Sequence, residues 1–251
     1  MASQKTEILY GFHPVHEALQ AHRRKIHALF VRKGRQDARI TAIRQRAEAQ
    51  GAAVQQVDEQ QLTDMAGRDG HQGICARVAP LPLCDLSAAM GPAGSRSAAP
   101  FVVLLDNLQD THNMGAIIRT AYCAGVDGIV IPQDRSAALR PSVSKASAGA
   151  LEHMPIARVP NLVNAVKQLK KEGLWIVGLE GSADQSLFGC DLKIPLGLII
   201  GGEKKGLRPL VTRHCDFLVS IPHARAFNSL NASVAAALAI FETYRQRSLP
   251  V

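Results

Sequence analysis

Five apolar runs in the C-terminal half, FVVLLD, GIVIP, LWIVGL, LGLIIGG and DFLVSIP, limit the possible folds of this chain more than any other feature. Each is rich in Val, Ile and Leu and lacks polar alternation, the pattern of strands buried on both faces of a parallel sheet. Helical stretches at 114–124, 162–171 and 233–247 lie between or after them. This half is therefore expected to be a doubly wound α/β domain. Upstream, the shorter runs ILY, HALFVR, AAVQQV and GICARV alternate with helical stretches at 13–21 and 38–50, which predicts a small α/β domain of its own. In between, PLPLCDLSAAMGPAGSRSAAP at 80–100 replaces large apolar residues with Pro, Gly, Ser and Ala, the composition of a linker. The expected organisation is one domain at 1–79, a linker at 80–100 and a second domain at 101–251.

Charge is concentrated in the first domain. Arg23, Arg24, Lys25, Arg32, Lys33, Arg35, Arg39, Arg44 and Arg46 stand against one acid, Asp37, an excess equal to the net +8 of the whole chain. A focused basic patch suits a phosphate backbone, where clustered cations release condensed counterions; a solvated helix face would read the same way. With one Trp and three Tyr, stacking on aromatic platforms is not expected to dominate nucleic-acid binding. The five cysteines are widely spaced and have no His at ligand spacing. They read as small apolar residues in a reducing cytosol, with no metal site. No run reaches membrane-spanning length and no leader-like segment opens the chain, so a soluble, cytoplasmic protein is expected.

In open parallel sheets ligands bind beyond the carboxyl ends of the strands. After FVVLLD, Asn113 can cap a helix that carries Gly115 and Arg119, placing them where backbone NH groups favour an anion. An ordinary cap, a helical glycine and a surface arginine would explain that spacing too. After LGLII come Gly201, Gly202, Glu203 and Gly206, where the glycines would let a ligand approach the backbone; a surface ion pair with the adjacent lysines is the plainer account. Neither GxxxxGK[ST] nor GxGxxG is present, which disfavours a nucleotide-dependent enzyme of those types. After DFLVSIP, the polar residues Asn228, Ser229, Asn231 and Ser233 precede an Ala-rich helix. Capping uses one of them, and the surplus suggests a polar site.

Taken together, NMGAIIR, GGEKKGL and SIP followed by SLNASVA resemble the three signature motifs of the SpoU (TrmH-type) RNA ribose methyltransferases, in the same order and at the same strand ends. The stretch DRSAALRPSVSKASAGALEHMPIARVPNL and the N-terminal YGFHPVHEAL and HQGICARV resemble the branch that methylates a guanosine of 23S ribosomal RNA. Several expectations follow from the resemblance. The fold is the SPOUT architecture, a parallel sheet with a deep trefoil knot, in a homodimer, behind a ribosomal-protein-like RNA-binding domain at 1–79. The cofactor is S-adenosylmethionine, held by Leu179, Glu180, Gly181, Gly201, Gly202, Ile221 and Leu230. The substrate is ribosomal RNA, gripped by Arg23, Arg24, Lys25, Arg32, Lys33 and Arg35. Transfer RNA, or a catalytically inactive RNA-binding role, is the alternative.

By the same resemblance Asn113, Arg119, Glu203, Ser229 and Asn231 form the catalytic set. The ribose 2'-hydroxyl has to be positioned and helped to lose its proton. A guanidinium holds its own proton too firmly to be a base. Arg119 is therefore expected to hold a neighbouring phosphate and stabilise the developing alkoxide at the partner subunit's cofactor. Asn113 would orient it, and Glu203, Ser229 and Asn231 would fix ribose and cofactor. The chain departs from the family pattern at His223, Arg225 and Leu179, all near the expected cofactor site.

Overall fold

The computed structural model describes residues 6–34, 37–67, 69–91, 99–202, 206–225 and 229–248. It divides into two compact units, one of Met1–Pro82 with Leu139–His153 and one of Leu83–Ala138 with Met154–Val251.

In the first unit the chain runs β1 (Glu7–Tyr10), α1 (Phe12–Ala21), β2 (Ile26–Arg32), α2 (Ala38–Ala49), β3 (Ala53–Val57), α3 (Glu59–Ala66) and β4 (Ile74–Val78). The strands form one sheet in the order β1-β4-β2-β3, with β2 and β3 parallel and the other pairs antiparallel. Alternation along the strands sorts two cores. Leu9, Leu29, Val31, Ile74, Ala76 and Val78 pack with Val15, Leu19, Ile40 and Ile43 of α1 and α2, whereas Tyr10, Ala28, Phe30 and Cys75 pack with Leu62 of α3. Helix α3 was not anticipated. Its start was nonetheless written in the sequence as a capping box: Asp58 accepts from the Gln61 NH and Gln61 reaches back to the Asp58 NH.

The second unit contains α4 (Leu86–Ala89), β5 (Phe101–Asp106), α5 (Thr111–Cys123) and β6 (Gly128–Pro132). The helix α6 (Pro141–Ala146) then belongs to the first unit. The second unit resumes with β7 (Ile156–Val159), α7 (Leu162–Lys171), β8 (Trp175–Leu179), β9 (Gln185–Ser186), β10 (Leu196–Gly201), α8 (Pro209–Thr212), β11 (Phe217–Ser220) and α9 (Ala232–Ser248). Its seven-stranded sheet has the order β7-β6-β5-β10-β8-β11-β9 and every pairing is parallel. The expected α/β fold is thus observed. Strand β5 is buried along its whole length. Val102, Leu104, Ile176 and Ile199 pack with α4 and α7, while α5 packs on α9 and α9 on β10.

Two expected boundaries need correction. Part of the 80–100 stretch is built into the second unit: Cys84 bridges to Ala157, its NH donates to the Ile156 carbonyl, and Leu86, Ala89 and Met90 join the core. Its Pro, Gly and Ala hid three buried apolar residues; positions 92–98 lie outside the described residues. The segment 139–153, placed by sequence in the second domain, is held in the first unit by a buried ion pair. The Glu152 carboxylate, 1% exposed, accepts from Arg24 Nε at 2.8 Å and Nη2 at 2.7 Å and from Ser144 Oγ at 2.6 Å. The cysteines also divide. Burial pushes the Cys75 and Cys215 thiols up to about 12, as expected for core residues, but Cys123 on α5 is exposed.

Candidate active site

The carboxyl ends of β10, β8 and β11 open onto a cavity of about 470 Å3, within the usual range for a small-molecule site. All seven expected cofactor residues line it: Leu179 and Glu180 at the end of β8, then Gly181, with Gly201 and Gly202 after β10, Ile221 after β11, and Leu230 before α9. Ser229, His223 and the expected Gly206 also line it, together with Ser182, Ile200, Ala232 and Ala235, which were not singled out from sequence. Their signal was adjacency to the motifs.

Two of the glycines also have a reason within the fold itself to lack side chains. A Cβ on Gly201 would come within 2.3 Å of the Gly206 backbone, and one on Gly202 within 2.3 Å of the Asn107 carbonyl oxygen. The missing side chains therefore make room for neighbouring backbone and close the turn, in which the Gly206 NH donates to the Gly202 carbonyl at 2.9 Å. Gly181, by contrast, faces open space. Behind this turn the fully buried Asp106 accepts from Arg208 Nε at 2.6 Å and the Arg208 NH at 2.8 Å. A buried carboxylate held by both side chain and backbone fixes the path after β10.

Asn113 and Asn231, 118 positions apart, meet. Asn231 Nδ2 donates to Asn113 Oδ1 at 3.1 Å. The Oδ1 of Asn231 accepts from the Ser233 NH at 2.9 Å and Ser233 Oγ at 2.6 Å, capping α9. The Asn113 NH donates to Asp110 Oδ1 at 2.7 Å at the start of α5. One amide pair thus ties the beginnings of two helices beside the cavity wall. Arg119 is not brought to it. Six residues further along α5, it lies about 120° around the helix from Asn113. It is exposed, without a hydrogen bond or ion pair among the described residues. Glu203 and Asn228 lie outside the described residues.

The basic cluster of the first unit is less available than its sequence suggests. Lys25, Arg32 and Lys33 are exposed, with Arg32 paired to Glu59 at 2.7 Å. Arg23 is half-buried and donates to the Glu152 carbonyl at 3.4 Å. Arg24 requires a correction: its side chain is 3% exposed and held by Glu152 and Glu7, so it cannot meet a phosphate. Arg35 lies outside the described residues. No group of three or more His, Cys, Asp or Glu among the described residues is placed to hold a metal ion, and no described helix is long and apolar enough to cross a membrane.

Fold and site together define a parallel α/β protein with a cofactor-sized cavity at its strand ends and an amide-bridged polar rim. The chain belongs to the SpoU rRNA Methylase family, whose profile matches residues 100–241. A profile for RNA 2'-O ribose methyltransferase substrate binding matches residues 8–84. An uncharacterized tRNA/rRNA methyltransferase of Synechocystis is 43% identical over 98% of this chain, which spans 64% of that relative's length. The 23S rRNA (guanosine-2'-O-)-methyltransferase RlmB of Escherichia coli K12 is 39% identical over 97% of this chain and 100% of its own. Among solved structures, the SpoU methyltransferase AviRb of Streptomyces viridochromogenes in complex with AdoMet superposes with a TM-score of 0.80. It is 26% identical, covering 96% of this chain and 90% of that one.

Proposed function

We propose that this chain works in the cytoplasm as a homodimer that transfers a methyl group from S-adenosylmethionine to the ribose 2'-hydroxyl of a guanosine in 23S ribosomal RNA. The observation that carries the reading is the convergence of all seven expected cofactor residues on one cavity, in a chain alignable end to end with a 23S rRNA methyltransferase. The cavity suits the cofactor: Leu179, Ile221 and Leu230 offer apolar walls for adenine, and Glu180 offers a carboxylate for hydroxyl or ammonium groups. When bound, S-adenosylmethionine supplies an electrophilic methyl group. The protein's part is to place the ribose and stabilise its oxygen as the proton leaves.

The Asn113–Asn231 bridge supports a positioning role, since it joins the first turn of α5 to the residue that caps α9 beside the cavity. Arg119 is free to act outside its own subunit, which fits a composite site. Support for the dimer comes from α9, where Val234, Leu238, Phe241 and Tyr244 form an apolar stripe, each between 41% and 48% exposed. Such a patch suits a self-complementary contact. The first unit, with exposed Lys25 and Lys33, is assigned to gripping RNA.

The test is to incubate the full chain with labelled S-adenosylmethionine and separate ribosomal and transfer RNA pools, then map the modified ribose. A 2'-O-methylguanosine in 23S RNA is expected; label confined to transfer RNA, or none at all, overturns the reading. Arg119→Ala should bind cofactor normally while turnover falls by roughly 10² or more, as for loss of an oxyanion-type donor. Mixed with a cofactor-defective Gly201→Trp chain it should regain activity in heterodimers, each protein supplying what the other lacks.

A further inference from the structure

The carboxyl ends of the seven parallel strands form one rim, and the cavity described above takes only its β10, β8 and β11 side. The other side, at the ends of β5, β6 and β7, carries a second cleft of about 750 Å3. Asn107 and Gln109 follow β5, Arg135 follows β6, Asn161 follows β7, and Arg208 and Leu210 come from the segment after β10; all six line the cleft. The two clefts stand back to back. Asn107 lines the second, Gly202 lines the first, and these two backbones approach so closely that no Cβ fits between them.

The walls of this cleft, and the residue that follows Arg135 in the chain, show three features that folding alone does not require. Asn107 and Arg135 both have left-handed backbones, at φ 59° and 61°. Asparagine tolerates that conformation, but arginine adopts it at a cost that surrounding structure has to offset, as commonly happens at binding sites. Next to Arg135, the Ser136 hydroxyl oxygen is buried with no hydrogen-bond partner among the described residues, a rare condition in a folded protein. The polar wall groups also keep spare capacity. Arg208 spends Nε on Asp106, and Asn161 spends Oδ1 capping α7 through the Asn164 NH at 3.1 Å, while Arg135 and Gln109 are exposed.

We propose that this second cleft receives the acceptor nucleotide of the RNA, with Arg135 and Arg208 pairing with its phosphates and the amides of Gln109 and Asn161 reading the edge of its base. The proposal rests on the methyl-transfer reading above. Guanidinium groups match phosphate oxygens in a forked geometry, and a side-chain amide presents both a donor and an acceptor, as a base edge demands. Leu210, 63% exposed, gives the base an apolar surface.

Two variants separate recognition from folding. Arg135→Gly removes the guanidinium and relieves the left-handed backbone, so it should keep or raise the melting temperature. Asn161→Asp keeps an oxygen to cap α7 and loses the amide donor. Both should bind S-adenosylmethionine within twofold of the parent by calorimetry, while KM for a 23S RNA fragment rises, roughly tenfold for Arg135→Gly through a lost charge-assisted contact and roughly fivefold for Asn161→Asp through a lost neutral one. Unchanged kcat/KM in both variants overturns the proposal, because a turn-forming role alone is served by glycine at least as well as by arginine. If the parent chain transfers no methyl group to RNA, the methyl-transfer reading fails, and affinity for the same fragment, read by fluorescence anisotropy, decides the cleft. Weaker binding by the variants upholds it; equal binding rejects it.

Discussion

Replacing Arg24 with alanine is expected to destabilise the first unit strongly rather than merely weaken its hold on RNA. The guanidinium makes two bonds to Glu152 at 2.8 and 2.7 Å, one to Glu7 at 2.7 Å and one to the Ala79 carbonyl at 3.3 Å. Without it, the Glu152 carboxylate keeps only Ser144 Oγ as a donor among the described residues. Stranding one partner of a buried ion pair costs about 3–5 kcal/mol, against a total stability for a domain of about 5–15 kcal/mol. At about 4 °C per kcal/mol or more for a unit of this size, its melting temperature should fall by at least about 12 °C. Exchanging both partners for apolar residues, Arg24→Met with Glu152→Leu, should recover most of the loss, since the stranded charge is gone. Calorimetry checks both variants. The single tryptophan, Trp175, lies in β8 of the second unit, so its fluorescence should report an unaltered transition there. A loss below about 1 kcal/mol in Arg24→Ala, the range of exposed pairs, would refute the reasoning, and weaker RNA binding at full stability would restore Arg24 to the RNA surface.

Gly202→Ala should lower cofactor affinity more than tenfold and stability by about 1–3 kcal/mol, because its methyl group would displace the Asn107 backbone; titration calorimetry and a melting curve measure the two effects. Lys25→Glu with Lys33→Glu should flatten the salt dependence of RNA binding by roughly two units of slope, one per lost phosphate contact. An unchanged slope in anisotropy titrations would return these residues to the solvated face. Leu238→Glu with Phe241→Glu should yield a folded monomer by sedimentation, and a persistent dimer would exclude the α9 stripe as the contact.

Five of the seven strands of the parallel sheet were legible because each is a local apolar run, readable within five to seven residues; the four-residue β7 and two-residue β9 are too short to stand out. The cavity was legible only through resemblance, since Leu179, Gly201 and Ile221 come from three separate strand ends and Leu230 from the approach to α9, and they share no local signal. The glycine turn shows the limit of such reading: sequence gives a flexible residue, but the approach of the Gly206 and Asn107 backbones becomes visible only in three dimensions. Arg24 misled for the same reason. Within an Arg-Arg-Lys triplet it reads as surface charge, and its partner stands 128 residues away. Helix α3 escaped because eight residues with one buried leucine carry little apolar periodicity, although its cap was explicit. The strand order and the threading expected of the family have no counterpart in periodicity, which describes elements and not the paths between them.

The capture of 139–153 by the first unit also governs the order in which the molecule is completed. During synthesis the first unit's opening stretch, ending at Pro82, leaves the ribosome about 70 residues before Glu152. At about 5–20 residues per second that interval is roughly 4–14 s. Throughout it, Arg24 has Glu7 but not its main counter-charge, and α6 has yet to pack on β1. The N-terminal unit therefore cannot finish until a large part of the second unit has been synthesised, although its sequence begins the chain. Its last contacts form after β5, α5 and β6 have been made and before β7 to α9 emerge, and a nascent chain arrested before Ser144 should display a soft, protease-sensitive N-terminus.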